Sequence, residues 1–164
     1  MGSQQNEKGS QWSEALGSLA LFFNWEGIMA RALLGQELVC LANNEVGLLG
    51  RIVVALAQEN IFILHLLAYT VGETGYLKLI TNSNDLPKAK KAISYFIPRI
   101  EEKEVLIVEF ENKVGTLATV AKVLGNHNIG IRCVYGTSAD GFKITGVFST
   151  EDNQKACNLI NQEK

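Results

Sequence analysis

The sequence predicts an α+β fold made of two βαββαβ units, each an antiparallel sheet with its helices on one face, preceded by a helical segment. Three observations carry that prediction. The frame Asn-x-Val-Gly-x-Leu occurs twice, at Asn44-Glu45-Val46-Gly47-Leu48-Leu49 and at Asn112-Lys113-Val114-Gly115-Thr116-Leu117, 68 residues apart. The match continues downstream, where Ile52, Leu56, Asn60, Ile61 and Ile63 meet Val120, Leu124, Asn128, Ile129 and Ile131 at the same offset. A repeat of this length signals one supersecondary unit used twice. The apolar periodicity around both copies then gives the same order of strands and helices.

In the first copy, residues 37–42 form a short apolar run of strand type. Residues 47–60 carry Leu49, Ile52, Val53 and Leu56 at helical spacing, which gives one buried stripe. Asn60 suits the end of that helix because asparagine tolerates a left-handed backbone. The β-rich runs 61–71 and 76–82 flank Gly72-Glu73-Thr74-Gly75, a hairpin signal. Asp85 offers an N-cap for a helix bearing Leu86, Ala89, Ile93 and Phe96, with Pro87 tolerated in its first turn and Pro98 stopping it. Residues 97–103 supply a closing strand.

The second copy retraces the path. It has a strand over 105–110, a helix over 115–126, and a hairpin of 129–137 and 142–149 across Ser138-Ala139-Asp140-Gly141. Thr150 is the expected cap of a last helix, whose Glu151 and Asp152 suit its positive end. The chain then stops at Lys164, without a closing strand for this copy. A bare sheet edge must be covered or paired, by the N-terminal segment or by another subunit. The implied division is a leader over 1–36, a first repeat over 37–103 and a second over 104–164.

Ahead of the repeats, residues 1–10 are polar and Gly/Ser/Gln-rich. From Ser13 an apolar pattern begins, through Leu16, Leu19, Ala20 and Phe23 to Ile28, Met29, Ala32 and Leu33. It predicts a helix packed on the repeats or on a second subunit, with a peripheral membrane anchor as the alternative. Asn24, Glu26 and Arg31 interrupt it short of the roughly 20 apolar residues of a membrane span. Glu7 and Glu14 stand where a signal peptide needs basic residues.

Composition narrows the function classes. An apolar share of 47% is ample for a packed core, and a net charge of −2 provides no basic field for nucleic acid. Cys40, Cys133 and Cys157 have no C-x-x-C spacing, so they read as reduced core thiols in a cytoplasmic protein rather than a zinc site or disulfide frame. His65 and His127 fall at unmatched positions of the repeat. No Ser/His/Asp or Cys/His arrangement, phosphate loop or H-E-x-x-H occurs. The expectation is a protein that is not an enzyme and holds no metal or cofactor.

The elbows are the candidate site. A glycine where strand turns into helix lets backbone approach closely, and the helix N-terminus presents unpaired N–H groups that suit a carboxylate. Asn44 or Asn112 can accept from an ammonium or donate to a carboxylate, although asparagine ahead of a helix also serves as a cap. The same choice, ligand or cap, applies to Asn60 and Asn128.

The paired Asn-x-Val-Gly-x-Leu elbows, the Asn60-Ile61 and Asn128-Ile129 pairs and the element order resemble tandem ACT-domain proteins over about residues 37–164. ACT domains are ferredoxin-like amino-acid-binding regulatory modules of amino-acid metabolism. The family's elbow reads Asp/Asn-x-Pro-Gly-x-Leu, and Val46 and Val114 replace its proline here. Serine-sensing relatives carry a histidine two residues ahead of the elbow asparagine. Ala42 and Phe110 stand at those positions, so serine specificity is not implied. The resemblance implies a metabolite sensor that binds an amino acid or similar small metabolite at Asn44, Glu45, Val46, Gly47, Leu48 and Leu49, and at Asn112, Lys113, Val114, Gly115, Thr116 and Leu117. Asn60 and Asn128 would close the pocket from a neighbouring domain. It also implies a homodimer that acts allosterically on a metabolic enzyme or regulator, with no nucleic-acid or membrane partner. The alternative is a ligand-free dimerisation or interaction module.

Overall fold

The computed structural model describes residues 30–138 and 141–162. In chain order these form β1 (Arg31–Asn43), α1 (Leu48–Gln58), β2 (His65–Val71), β3 (Thr74–Ile80), a 3-10 turn (Ser83–Asp85), α2 (Leu86–Ile93), β4 (Arg99–Glu111), α3 (Thr116–Asn126), β5 (Ile131–Thr137), β6 (Lys143–Thr150) and α4 (Asn153–Gln162). The six strands make one antiparallel sheet in the order β2-β3-β1-β4-β6-β5.

The centre of the sheet is the pairing of β1 with β4, each 13 residues long, in register from Arg31 opposite Glu109 to Leu41 opposite Arg99. Each strand serves two cores. The C-terminal half of β1 gives Leu38 and Cys40 to a core with Ile52 and Leu56 of α1, Leu77 and Leu79 of β3, and Ala89 and Ile93 of α2. The N-terminal half gives Ala32 to a core with Val120 and Leu124 of α3, Phe148 of β6, and Ala156 and Ile160 of α4. Ala32, Leu38 and Cys40 are even steps apart, so they share one sheet face, and all four helices of the described residues pack there. On β4 the division is reversed. Ile100 borders the first core, whereas Leu106, Val108 and Phe110 belong to the second.

Several boundaries differ from the sequence reading. Residues 31–36, assigned to a helical leader, are strand, and they pair with residues 104–109 at the place where the second copy lacked a closing strand. The rest of the expected leader helix, through residue 29, lies outside the described residues. The strands expected over 97–103 and 105–110 are one continuous β4. The run Glu101-Glu102-Lys103-Glu104 continues the ladder with charges paired, Glu102 with Lys90 of α2 at 2.7 Å and Glu101 with Lys103 within the run at 2.8 Å. β2 starts at His65 rather than 61, and β5 at Ile131 rather than 129, because the preceding residues complete helix caps. Thr150 ends β6 instead of capping α4. Asp152 caps that helix, its Oδ1 accepting from the Lys155 N–H at 2.8 Å, and Asn153 Oδ1 accepts from the Thr150 N–H and hydroxyl.

The face away from the helices carries a smaller cluster of Ile80, Val105 and Val147, with Ile107 and Tyr135 against it. Among these sits Glu37, 1% exposed, whose carboxylate accepts from Lys78 Nζ at 3.0 Å and from the Tyr135 hydroxyl at 2.6 Å. Tyr135 lies on β5, three strand positions from β1. In a flat sheet that separation would be about 14 Å at the usual strand spacing. Contact across it takes two long side chains, tyrosine and glutamate, reaching toward each other along this face. Burial, and then the hydrogen bond to Glu37, push the Tyr135 hydroxyl above its ordinary pKa. Burial alone would lower the Lys78 ammonium, but its hydrogen bond to Glu37 and that group's charge hold it above its usual value.

Removing one member of a buried ion pair strands the other, so Glu37→Ala is expected to cost about 3–5 kcal/mol in urea unfolding. Tyr135→Phe, which deletes a single hydrogen bond to a charged group, is expected to cost about 1–3 kcal/mol.

Candidate functional site

The two elbows are built alike. Each strand ends, the chain turns through a left-handed glycine, and a helix begins: Gly47 at φ 85° before α1 and Gly115 at φ 97° before α3. Neither helix has a side-chain cap bond. Asn44 and Asn112 therefore do not cap these helices. Their backbones instead tether each elbow to a hairpin tip, Asn44 N–H to Glu73 O at 2.8 Å and Asn112 N–H to Phe142 O at 2.7 Å. In the first turn of α1 the Leu48 N–H donates to Glu45 O at 3.1 Å, and Gly47 O accepts from Arg51 N–H. The N–H groups of Leu49 and Gly50 find no acceptor among the described residues. Leu117 and Ala118 hold the same places at α3 and are likewise without acceptors there. Such orphan donors at a helix start suit a carboxylate.

A cavity of ≈ 370 Å³ opens at the first elbow, between the start of α1 and the β1-β3-β2 part of the sheet. Asn44, Glu45, Leu48 and Leu49 line it, and Ala42 and Leu77 lie on its sheet side. The Asn44 side-chain amide and the Thr70 hydroxyl, both at the cavity, have no hydrogen-bond partner among the described residues. Glu45 is held by Arg51 at 2.7 Å. Cys40 contributes a neutral thiol, its pKa pushed up to about 12 by burial and by Glu37.

Not every predicted site residue converges on this cavity. Val46 and Val114 are fully or largely exposed on the outside of their elbows. Asn60 and Asn128 occupy the left-handed position after α1 and α3, at φ 56° and 55°. Around them Asn60 N–H bonds Ala57 O and Ile61 N–H bonds Leu56 O, with Asn128 to Gly125 and Ile129 to Leu124 in parallel. That pair of bonds is the Schellman cap, which explains both asparagines locally. Among the described residues, Asn112, Lys113, Thr116 and Leu117 line neither this cavity nor a second hollow near the start of β1. Asn112 Nδ2 donates to Gly141 O at 2.9 Å, Thr116 Oγ1 to Lys113 O at 3.0 Å, and Lys113 pairs with Glu111 at 2.6 Å. A second hollow of ≈ 530 Å³ lies between the start of β1 and the end of β4 and adjoins Ala30, the first described residue.

Ala42, Thr70 and Gly75 are among the cavity residues that the sequence reading did not assign to the site. Their signal was positional, since Ala42 lies two residues ahead of Asn44 and Gly75 faces it across the ladder. His65, half-buried on the edge strand β2, has its pKa lowered by burial. His127 Nδ1 lies 2.9 Å from Val123 O at the end of α3. Among the described residues no three of His, Cys, Asp and Glu gather as metal ligands, and no helix is long and apolar enough to cross a membrane.

With this geometry in view, the fold has clear counterparts. Protein BT0572 of Bacteroides thetaiotaomicron matches with a TM-score of 0.71 at 23% identity, over 80% of this chain and 89% of its own. The ligand-free regulatory subunit of aspartate kinase from Thermus thermophilus matches with a TM-score of 0.61 at 15% identity, over 84% of this chain and 97% of its own. E. coli aspartokinase III in complex with lysine and aspartate matches with a TM-score of 0.51 at 17% identity, over 84% of this chain and 33% of that one. The sequence matches no family model and no curated protein. The likeness is one of fold, an α+β arrangement with a six-stranded antiparallel sheet and four helices that is shared with ACT-like regulatory domains of aspartate kinase.

The elbow glycines give a direct check on this local geometry. A Cβ at Gly47 meets nothing within 4 Å, so Gly47→Ala isolates the backbone term and is expected to lose about 1–2 kcal/mol. At Gly50, within α1 and equally open, alanine is expected to gain about 0.5–1 kcal/mol in the same thermal or urea unfolding experiment.

Proposed function

We propose that this chain is a regulatory, amino-acid-binding protein, a pair of ACT-like ferredoxin repeats that reports a metabolite through its domain or subunit interfaces. The observation that carries the reading is the cavity at the first elbow. It joins the Asn44 carboxamide to the amides at the start of α1, all without partners among the described residues, and these groups can hold an α-ammonium and an α-carboxylate together. The strand order supports the repeat. Read outward from the centre, β4-β1-β3-β2 and β1-β4-β6-β5 each give the four strands of a ferredoxin-like unit, with the halves of β1 and β4 shared between them. The fold neighbours include a regulatory subunit of aspartate kinase and about a third of an aspartokinase complexed with lysine and aspartate, a likeness that favours regulation over catalysis.

A homodimer fits the apolar residues left outside. Val46, Leu49, Leu66 and Val71, all exposed, flank the cavity and β2, which is an edge strand among the described residues. An open edge with apolar side chains invites pairing with a second copy. These same residues favour the alternative, a dimerisation module without ligand. The regulated partner in the first reading is a metabolic enzyme or regulator, and the setting is cytoplasmic.

Calorimetric titration of the full chain with the twenty amino acids separates the two readings. The expected result is saturable binding by at least one of them, abolished by Gly47→Leu in a chain whose circular dichroism is unchanged. Heats of dilution alone across the whole panel, with a dimer seen by sedimentation, would establish the interaction module instead.

A further inference from the structure

The two elbows share a backbone but differ in what fills them. At the first, Ala42 on β1 faces Gly75 on β3, and these small residues leave the sheet side of the cavity open. At the second, the residues in the same ladder positions are Phe110 on β4 and Ile144 on β6. Phe110 is 3% exposed, and Ile144 packs against the same core. The Phe110 ring reaches over Gly146, where a Cβ would come within 3.4 Å of it and still closer to Phe148. Leu77 holds the place of Gly146 in the first copy, so the second elbow has exchanged a leucine for a phenyl ring reaching in from the neighbouring strand.

The polar groups differ in the same sense. Asn44 and Thr70 are unpartnered among the described residues, whereas their counterparts are occupied. Asn112 donates to Gly141 O, and Ser138 accepts from the Gly141 N–H at 3.0 Å. The second elbow is filled sterically, and its Asn112 and Ser138 side chains are satisfied internally.

The lining of the first cavity also limits its occupant. Away from the Asn44 and Thr70 rim it presents Ala42, Leu48, Ile52, Leu77 and Ile97. Its one charged lining residue, Glu45, is already paired with Arg51. A ligand side chain bearing an ammonium or carboxylate would lose its hydration there without gaining a partner. An aliphatic or aromatic side chain gains burial.

We infer that the elbows have diverged in role: the first takes an α-amino acid with an apolar side chain, and the second, plugged by Phe110 and Ile144, takes none. The inference rests on the amino-acid-binding reading and makes Ala42 and Gly75 the specificity-determining residues. Each chain then binds one ligand.

The test is titration of the full chain with leucine, phenylalanine, lysine and aspartate. Leucine or phenylalanine is expected to bind at one equivalent per chain, with lysine and aspartate about tenfold weaker or worse. Ala42→Phe, which copies the plug, should abolish binding, and Phe110→Ala should leave the first site intact. Should Ala42→Phe fail to fold, Gly75→Ile serves, because a Cβ there meets nothing closer than 3.5 Å. Two equivalents per chain, tighter binding of lysine or aspartate, or binding untouched by the folded plug variant would overturn the inference. If no amino acid binds, the sensing reading fails, and benzene reports on the plug separately. In methyl NMR, benzene should shift Leu48, Ile52 and Leu77 in the wild type, and Val120 and Ile144 only in Phe110→Ala. Equal shifts at both elbows of the wild type would show that no plug exists.

Discussion

The antiparallel pairing of β1 with β4 is the constraint on which the rest of the structure depends. Eleven registered residue pairs join two strands that each contribute to both hydrophobic cores. Neither half of the molecule closes its sheet without residues from the other: Ala32 completes the core under α3 and α4, and Ile100 borders the one under α1 and α2. The arrangement also covers the edge that the sequence reading left bare, because the N-terminal half of β1 lies beside β4 there. Glu37, in the middle of β1, adds a polar lock on the opposite face, reaching Lys78 of one half and Tyr135 of the other.

The same pairing sets the geometry of the elbows. β1 and β4 run in opposite directions, and each elbow follows the C-terminal end of its strand. The two elbows therefore stand at opposite ends of the central ladder, on the order of 40 Å apart for strands of this length. They cannot share a ligand within one chain. Each has to work alone or against another molecule, and this leaves them free to diverge. At the first, small side chains and unsatisfied polar groups surround a cavity. At the second, an aromatic ring and internal hydrogen bonds occupy the corresponding place.

Much of this was legible in the sequence. The repeated Asn-x-Val-Gly-x-Leu frame located both helix starts to within a residue, and the hairpin glycines marked both turns. The left-handed backbone of Asn60 and Asn128 was legible as one of two readings, cap or ligand, because local backbone chemistry governs it. The errors came where local pattern and tertiary pairing disagree. Ala32 and Leu33 continue the spacing of a preceding apolar run and read as helix, yet a strand partner 70-odd residues away claims them. The strands over 97–103 and 105–110 read as separate because the charged run Glu101-Glu102-Lys103-Glu104 interrupts the apolar pattern, yet Arg99–Glu111 is one strand along β1. The burial of Glu37 was invisible, since its partners come from β3 and β5. The cavity was only half visible. Its elbow is a motif, but its emptiness depends on Ala42 and Gly75, residue types that announce nothing on their own.

The central claim is that the first elbow holds an amino acid by its backbone amides and the second does not. Amide-resolved NMR of the full chain, titrated with leucine or phenylalanine, tests it most directly. The account predicts progressive, saturating shifts of the Leu49 and Gly50 N–H signals, with Leu117 and Ala118 unmoved. Static signals at Leu49 and Gly50 while ligand binds elsewhere, or parallel shifts at both elbows, would contradict it.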